Sequence, residues 1–181
     1  TIPDYALRLA LAEAVGIAQR TIVNGTWQWA GVTRGLNGEP LLARPIMTSD
    51  LAALTVLDAP NRGIVNIEGL QYATNLRALN LANNLIASVE QLRVLTSEDP
   101  VDLGAPHGPA KLQYLSLDSN RLRDISPLES MLSLRALSAD NMLIASFAPL
   151  EGLTHLEWLS VDGDVTVSSG TYNPATGHTY Y

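Results

Sequence analysis

Apolar residues recur along this chain at one fixed spacing. Four stretches share it: Leu54-x-x-Leu57-x-Ala59, Leu76-x-x-Leu79-x-Leu81, Leu112-x-x-Leu115-x-Leu117 and Leu134-x-x-Leu137-x-Ala139. A fifth, Leu156-x-x-Leu159-x-Val161, follows. Successive starts lie 22 residues apart except between Leu76 and Leu112, where the gap is 36, or 22 plus an inserted 14. Side chains alternate along an extended segment, so the fourth and sixth positions of each stretch share one face and the third, fifth and seventh share the other. A second apolar set closes each unit: Ile86, Val89, Leu92 and Leu95, then Leu122, Ile125, Leu128 and Met131, then Ile144, Phe147, Leu150 and Leu153. The pattern predicts about five stacked coils with parallel strands near 57–59, 79–81, 115–117, 137–139 and 159–161. A single coil cannot bury both of its faces, so neighbours must stack. Each buried Leu or Ile contributes roughly 1.5–3 kcal/mol, which allows short coils to cohere without cross-links.

Two segments extend the pattern past the strand: Asn84-Leu85-Ile86 and Asn120-Arg121-Leu122-Arg123-Asp124-Ile125-Ser126-Pro127-Leu128. With the run from Ile64 through Ile67, Gly69 and Leu70 to Leu76, they resemble the 22-residue class of leucine-rich repeats over about residues 46–165. Bacterial internalin-like surface and secreted proteins are the best-known members of that class. The resemblance implies an α/β solenoid: a right-handed leucine-rich-repeat array with a parallel concave sheet and a helical N-terminal cap. It also implies that the Asn side chain bonds backbone groups inside the turn, as a buried polar group must. Arg62, Met142 and Asp164 break the Asn position. Terminal units are expected to be irregular, but Met142 is interior, and Asn141 beside it could substitute through a locally shifted turn.

The flanks divide the chain further. Residues 1–50 are expected to form the cap. There, Asp4 can cap a helix whose Leu7, Leu11, Ala14 and Val15 share a face, with Gly16 as its stop. Thr48-Ser49-Asp50 would cap a short helix through Leu51 and Leu54. Between them, Thr26-Trp27-Gln28-Trp29 alternates like a strand or hairpin, read as a cap loop burying one indole, with a binding role for the pair as the rival. Repeats occupy 51–165, and the insertion 97–110, with three prolines and two glycines, is expected to be an irregular loop at an edge of the solenoid. Residues 166–181 read as a last strand at Val165-x-Val167 followed by a linker toward a further module. The chain begins directly before a capped helix, so a mature or excised fragment is expected.

Composition removes several function classes. At 46% hydrophobic and 16% charged the chain is too apolar for disorder. No run approaches the ~18 apolar residues of a membrane span. Eleven basic residues stand against eighteen acidic ones, the reverse of what nucleic acid requires. Without cysteine there is no disulfide framework, thiolate zinc site or thiol nucleophile. His107, His155 and His178 are scattered, and no phosphate loop, H-E-x-x-H or G-x-S-x-G occurs. No catalytic residue and no cofactor are therefore expected, and the chain is read as a non-enzyme.

The outward columns of the sheet remain. The third positions are Val56, Ala78, Tyr114, Ala136 and Trp158. The fifth are Asp58, Asn80, Ser116, Ser138 and Ser160, and the seventh are Pro60, Ala82, Asp118, Asp140 and Asp162. Exposed Tyr and Trp beside polar groups resemble interface anchors. The expected partner-binding face is therefore Tyr114, Ser116, Asp118, Ser138, Asp140, Trp158, Ser160 and Asp162. The rival for Trp158 is packing beneath a following module. Asp118, Asp140 and Asp162 should stack at strand spacing, where like charges repel by about 1 kcal/mol in water. Serine hydroxyls, a partner's Arg or a bound cation could offset this, although one carboxylate row is a poor calcium cage. The sequence thus points to a module binding a protein or other ligand on its concave sheet, from an extracellular or surface-attached bacterial protein. A rigid spacer in a large adhesin, or a recruitment module of a multidomain enzyme, are the alternatives.

Overall fold

In a computed structural model, described for residues 2–23, 26–30, 32–34, 40–93, 108–109, 111–161, 171–173 and 178–180, the chain is a leucine-rich-repeat solenoid. Its sheet has five parallel strands in sequence order: β5 (Val56–Asp58), β6 (Ala78–Asn80), β7 (Tyr114–Ser116), β8 (Ala136–Ser138) and β9 (Trp158–Ser160). Leu57, Leu79, Leu115, Leu137 and Leu159 stand side by side across it. The strands begin one residue earlier than the spacing predicts, because pairing starts at the third position, where Ala78 N already donates to Thr55 O. Short 3-10 turns at Leu70–Tyr72, Glu90–Leu92, Ser126–Leu128 and Ala148–Leu150 form the opposite wall. Among the described residues, the leucine and isoleucine positions of both sets fall in a single buried core, with Leu159 partly buried against it.

After each of the first four strands, one residue takes a left-handed backbone: Asn61, Asn83 and Asn141 at φ 56° and Ser119 at φ 53°. Asn and short polar residues tolerate that region. The next residue enters the core. Asn84 Oδ1 accepts from Arg62 N (3.1 Å) and Ile64 N (3.0 Å), and its Nδ2 donates to Ala59 O (2.9 Å) and Leu81 O (2.8 Å). Asn120 repeats this one coil on, accepting from Ile86 N and donating to Leu81 O and Leu117 O. Asn141 does not substitute for the missing Asn by a shifted turn. It stays exposed in the left-handed position, and Met142 itself fills the buried site. At Arg62 the exception has a different cause. The first coil faces the cap rather than another coil, and Arg62 Nη2 reaches Glu13 Oε2 at 2.6 Å.

The cap helix α1 (Tyr5–Ala14) buries Leu7, Ala10, Leu11 and Ala12 against the first coil, while Ala14, expected on that face, is exposed. Asp4 caps it through Leu7 N (2.8 Å) and, with its other oxygen, accepts from Val65 N (2.8 Å) and Asn66 N (3.0 Å). One carboxylate therefore starts the helix and ties it to the solenoid. Helix α2 (Thr48–Ala53) is capped at Met47 rather than within Thr48-Ser49-Asp50. Asp50 contributes from inside the first turn, accepting from Met47 N at 2.8 Å and pairing with Arg44. The Trp segment forms β2 (Thr26–Ala30), antiparallel to β1 (Gln19–Val23), followed by the pair β3 (Val32–Arg34) and β4 (Pro40–Leu42). The fate of the two indoles lies outside the described residues.

The insertion leaves and returns at a closed neck. Gly108 has φ +69°, and a Cβ there would lie 2.5 Å from Arg93 O, so glycine is required by both conformation and contact. Pro109 O accepts from Leu112 N at 2.9 Å, as Ala73 O does from Leu76 N and Met131 O from Leu134 N. Gly108 and Pro109 thus belong to the coil's closing turn and not to the inserted loop expected at 97–110. The intervening residues 94–107, like 162–170, lie outside the described residues. Within the segment expected to be a linker, β10 (Thr171–Asn173) and β11 (His178–Tyr180) pair as an antiparallel hairpin.

Candidate functional site

The exposed face of the sheet changes character along its length. On β5 and β6 it carries Val56 and Ala78, with Asn80 Nδ2 donating to Asp58 Oδ1 at 2.8 Å. On β7 to β9 it carries Tyr114, Ala136 and Trp158 side by side. Tyr114 and Trp158 are each 53% exposed, although bulky aromatics usually lose most of their surface on folding. Two strand spacings separate them, roughly 9–10 Å, with only the methyl of Ala136 between. The two exposed aromatics thus flank Ala136 on neighbouring strands.

Further along the same strands the polar columns interlock. Asp118 accepts from Ser116 Oγ (3.0 Å), Ser138 Oγ (2.6 Å) and Asp140 N (2.9 Å). One coil further, Ser160 Oγ donates to both oxygens of Asp140, at 2.8 and 3.0 Å. Each aspartate is thus held by the serine of the next strand, and the expected crowding of like charges is offset by hydroxyl donors. Asp118 and Asp140 remain half-buried. Among the described residues, no group of three or more His, Cys, Asp or Glu is placed to hold a metal ion. Asp162, the third member of the row, lies outside the described residues.

Seven of the eight expected face residues therefore occupy one contiguous surface. Sequence reasoning missed the exposed Arg135–Glu157 pair (2.8 Å) on the second positions, next to Ala136 and Trp158 in the chain. Its signal was present, since the two residues are 22 apart and opposite in charge. His155, an exposed turn residue, places Nδ1 3.1 Å from Leu132 O, and His107 is outside the described residues.

No protein-family model matches the chain, and no curated protein is similar to it. Solved structures are. An internalin C2 from Listeria monocytogenes superposes with a TM-score of 0.52 and 28% identity, covering 93% of this chain and 68% of its own. A second internalin of that organism, InlF, gives a TM-score of 0.53 at 21% identity, covering 93% of this chain and 45% of its own. The chain therefore spans less than half of the second protein's length and about two thirds of the first's. With the 22-residue register and the five parallel strands, these likenesses identify the chain as an internalin-like leucine-rich-repeat solenoid.

Proposed function

We propose that this chain is a non-catalytic interaction module whose docking surface is the concave face of β7 to β9. The observation that carries the reading is the exposure of Tyr114 and Trp158 on either side of Ala136, on the same strands that lead into the Asp118 and Asp140 network. Exposed aromatics supply large contact area at low entropic cost, and carboxylates beside them favour a partner bearing Arg or Lys. The occupant that fits is a basic protein segment, with one cationic side chain between the rings and others toward the aspartates. The net charge of −7 favours encounter with such a partner. The likeness to Listeria internalins supports an extracellular or surface-attached bacterial setting. No helix among the described residues is long and apolar enough to cross a membrane.

The test is a peptide-display selection against the purified chain, followed by calorimetry of the winning peptides. Enriched peptides should be basic. Tyr114→Ala or Trp158→Ala should weaken them by about tenfold or more, with unchanged melting. Binders indifferent to both substitutions, but sensitive to Leu132→Ala on the far side, would remove the concave face from consideration. A chain that selects nothing would favour the spacer reading.

A further inference from the structure

The cap and the first coil enclose a cleft of about 500 Å³, on a different part of the molecule from the concave sheet. That volume is within the range of sites that hold small organic ligands. Its apolar walls are Ile2, Leu42, Ile46, Leu51 and Tyr72, and Arg8 also lines it. The floor is shaped by close approach: Gly69 has φ +116°, and a Cβ there would lie 2.8 Å from Ile2 Cγ1. Any other residue at 69 would displace Ile2 and remodel the cleft.

The charges around the cleft are unevenly satisfied. Arg44, on its rim, is committed to Asp50 through two bonds, Nη1–Oδ2 at 2.6 Å and Nη2–Oδ1 at 2.9 Å. Glu68 lines the cleft but is exposed, where water screens it. Arg8 differs from both. Its guanidinium carbon sits 5.7 Å from the Tyr5 ring centroid, and its Nε is buried with no hydrogen-bond partner. A buried N–H of a permanent cation without an acceptor is costly, and native proteins seldom leave one. Arg8 lines the cleft, and among the described residues no carboxylate pairs with it, so an acid entering the cleft meets a cation that is not already neutralised.

We infer that this cleft binds a small carboxylic acid with an apolar body, its carboxylate on Arg8 and its tail against Ile2, Leu42, Ile46 and Leu51. An arginine beside apolar walls selects such a ligand over a neutral one of the same shape, because the charge-assisted bond is lost with the carboxylate. It selects against an amine in the same pose, whose ammonium would stand against Arg8 rather than against the exposed Glu68.

The experiment uses three probes with one tail: octanoate, octan-1-ol and octylammonium, each titrated calorimetrically into the whole chain. Octanoate should bind saturably and about tenfold or more tighter than octan-1-ol, and octylammonium weakest, as one charge-assisted hydrogen bond implies. Arg8→Gln should erase the preference for octanoate with little change in melting temperature, since Arg8 makes no ion pair among the described residues and only its ring contact with Tyr5 is lost. Thr48→Trp, an exposed substitution at the rim, should block all three probes and leave the solenoid's folding intact. Absence of saturable octanoate binding, equal affinity for all three probes, or octanoate binding undiminished in Arg8→Gln or Thr48→Trp would overturn the assignment.

Discussion

Two ladders of short polar side chains run across these coils, and burial separates them more than chemistry does. Inside the turns, Asn84 and Asn120 are 4% and 9% exposed and bond backbone groups of their own coil and the preceding one. On the open sheet, Asp118 and Asp140 are half-buried and bond serines of the next coil. Both ladders repeat with the coil and both cross between neighbours. The inner one replaces water for backbone groups that have no other access to it, so every bond is obligatory. The outer one has water as an alternative at every rung, so it can be opened by a partner. The inner ladder therefore specifies the fold, and the proposed docking face is built on the outer one.

The largest expected effect breaks the inner ladder. Asn120→Ala leaves the buried Ile86 N–H without its acceptor and deprives Leu81 O and Leu117 O of a donor. It should cost roughly 2–4 kcal/mol in chemical denaturation, since a stranded buried group forfeits about 1–3 kcal/mol. Leu115→Ala, which empties a core position, sets the yardstick at roughly 2–5 kcal/mol. An Asn120→Ala loss below about 0.5 kcal/mol would place the inner ladder in the same class as the outer one.

That ladder also shows what the sequence could and could not reveal. The coil register was legible because Leu57, Leu79, Leu115, Leu137 and Leu159 must all enter one core, and a period expresses that directly. The exposed face was legible by alternation from the same leucines. Met142 was misread because asparagine has two separable roles here. A left-handed residue is needed at 141 and a buried one at 142, and the sequence shows only that Asn stands beside Met. The return of the insertion was misplaced because Leu95 fits the apolar spacing as well as Pro109 does, and only the Pro109–Leu112 bond distinguishes them. The cleft at the cap was invisible, since residues from 2 to 72 converge on it with no common spacing.

A smaller effect is expected at the cap, where the two classes meet. Asp4 joins an N-cap to two backbone bonds from the first coil. Asp4→Ala should cost about 2 kcal/mol, more than a cap alone, which is typically worth about 1. Asp4→Asn should recover part of it, because an amide oxygen can still cap. A loss equal to that of an ordinary cap would show that the two coil bonds are dispensable.

The outer ladder should respond less. Ser138→Ala removes the 2.6 Å donor to Asp118, yet Asp118 keeps Ser116 Oγ, Asp140 N and water. The loss should be at most about 1 kcal/mol, within the range of a single solvent-accessible hydrogen bond. Adding calcium should leave the melting temperature of both proteins unchanged if serine donors alone offset the aspartate row. A calcium-dependent rise in wild type that Asp140→Asn abolishes would show instead that the row holds a cation.

The smallest effect comes from a solvent-accessible ion pair, Arg44–Asp50. Asp50 has its pKa lowered from 3.8 to about 2, first by its hydrogen bond from Arg44 and then by that from Met47 N. A carboxyl with a depressed folded-state pKa contributes stability that is fully present above its unfolded value. That contribution is lost as pH falls through the folded one. The window therefore runs from about pH 4 down to about pH 2. Other carboxylates titrate in the same range, Asp124 among them, held low by Ser126 N and Ser126 Oγ. The informative quantity is therefore the difference in melting temperature between wild type and Asp50→Asn. Above pH 4 that difference should be small and constant, and it should shrink toward zero as the pH approaches 2. Molar salt should flatten it, because an exposed pair is screened. A difference that persists unchanged to pH 2 would mean that the Arg44–Asp50 geometry does not favour the ionised form. A difference that survives molar salt would mean that even this contact behaves like a rung of the buried ladder.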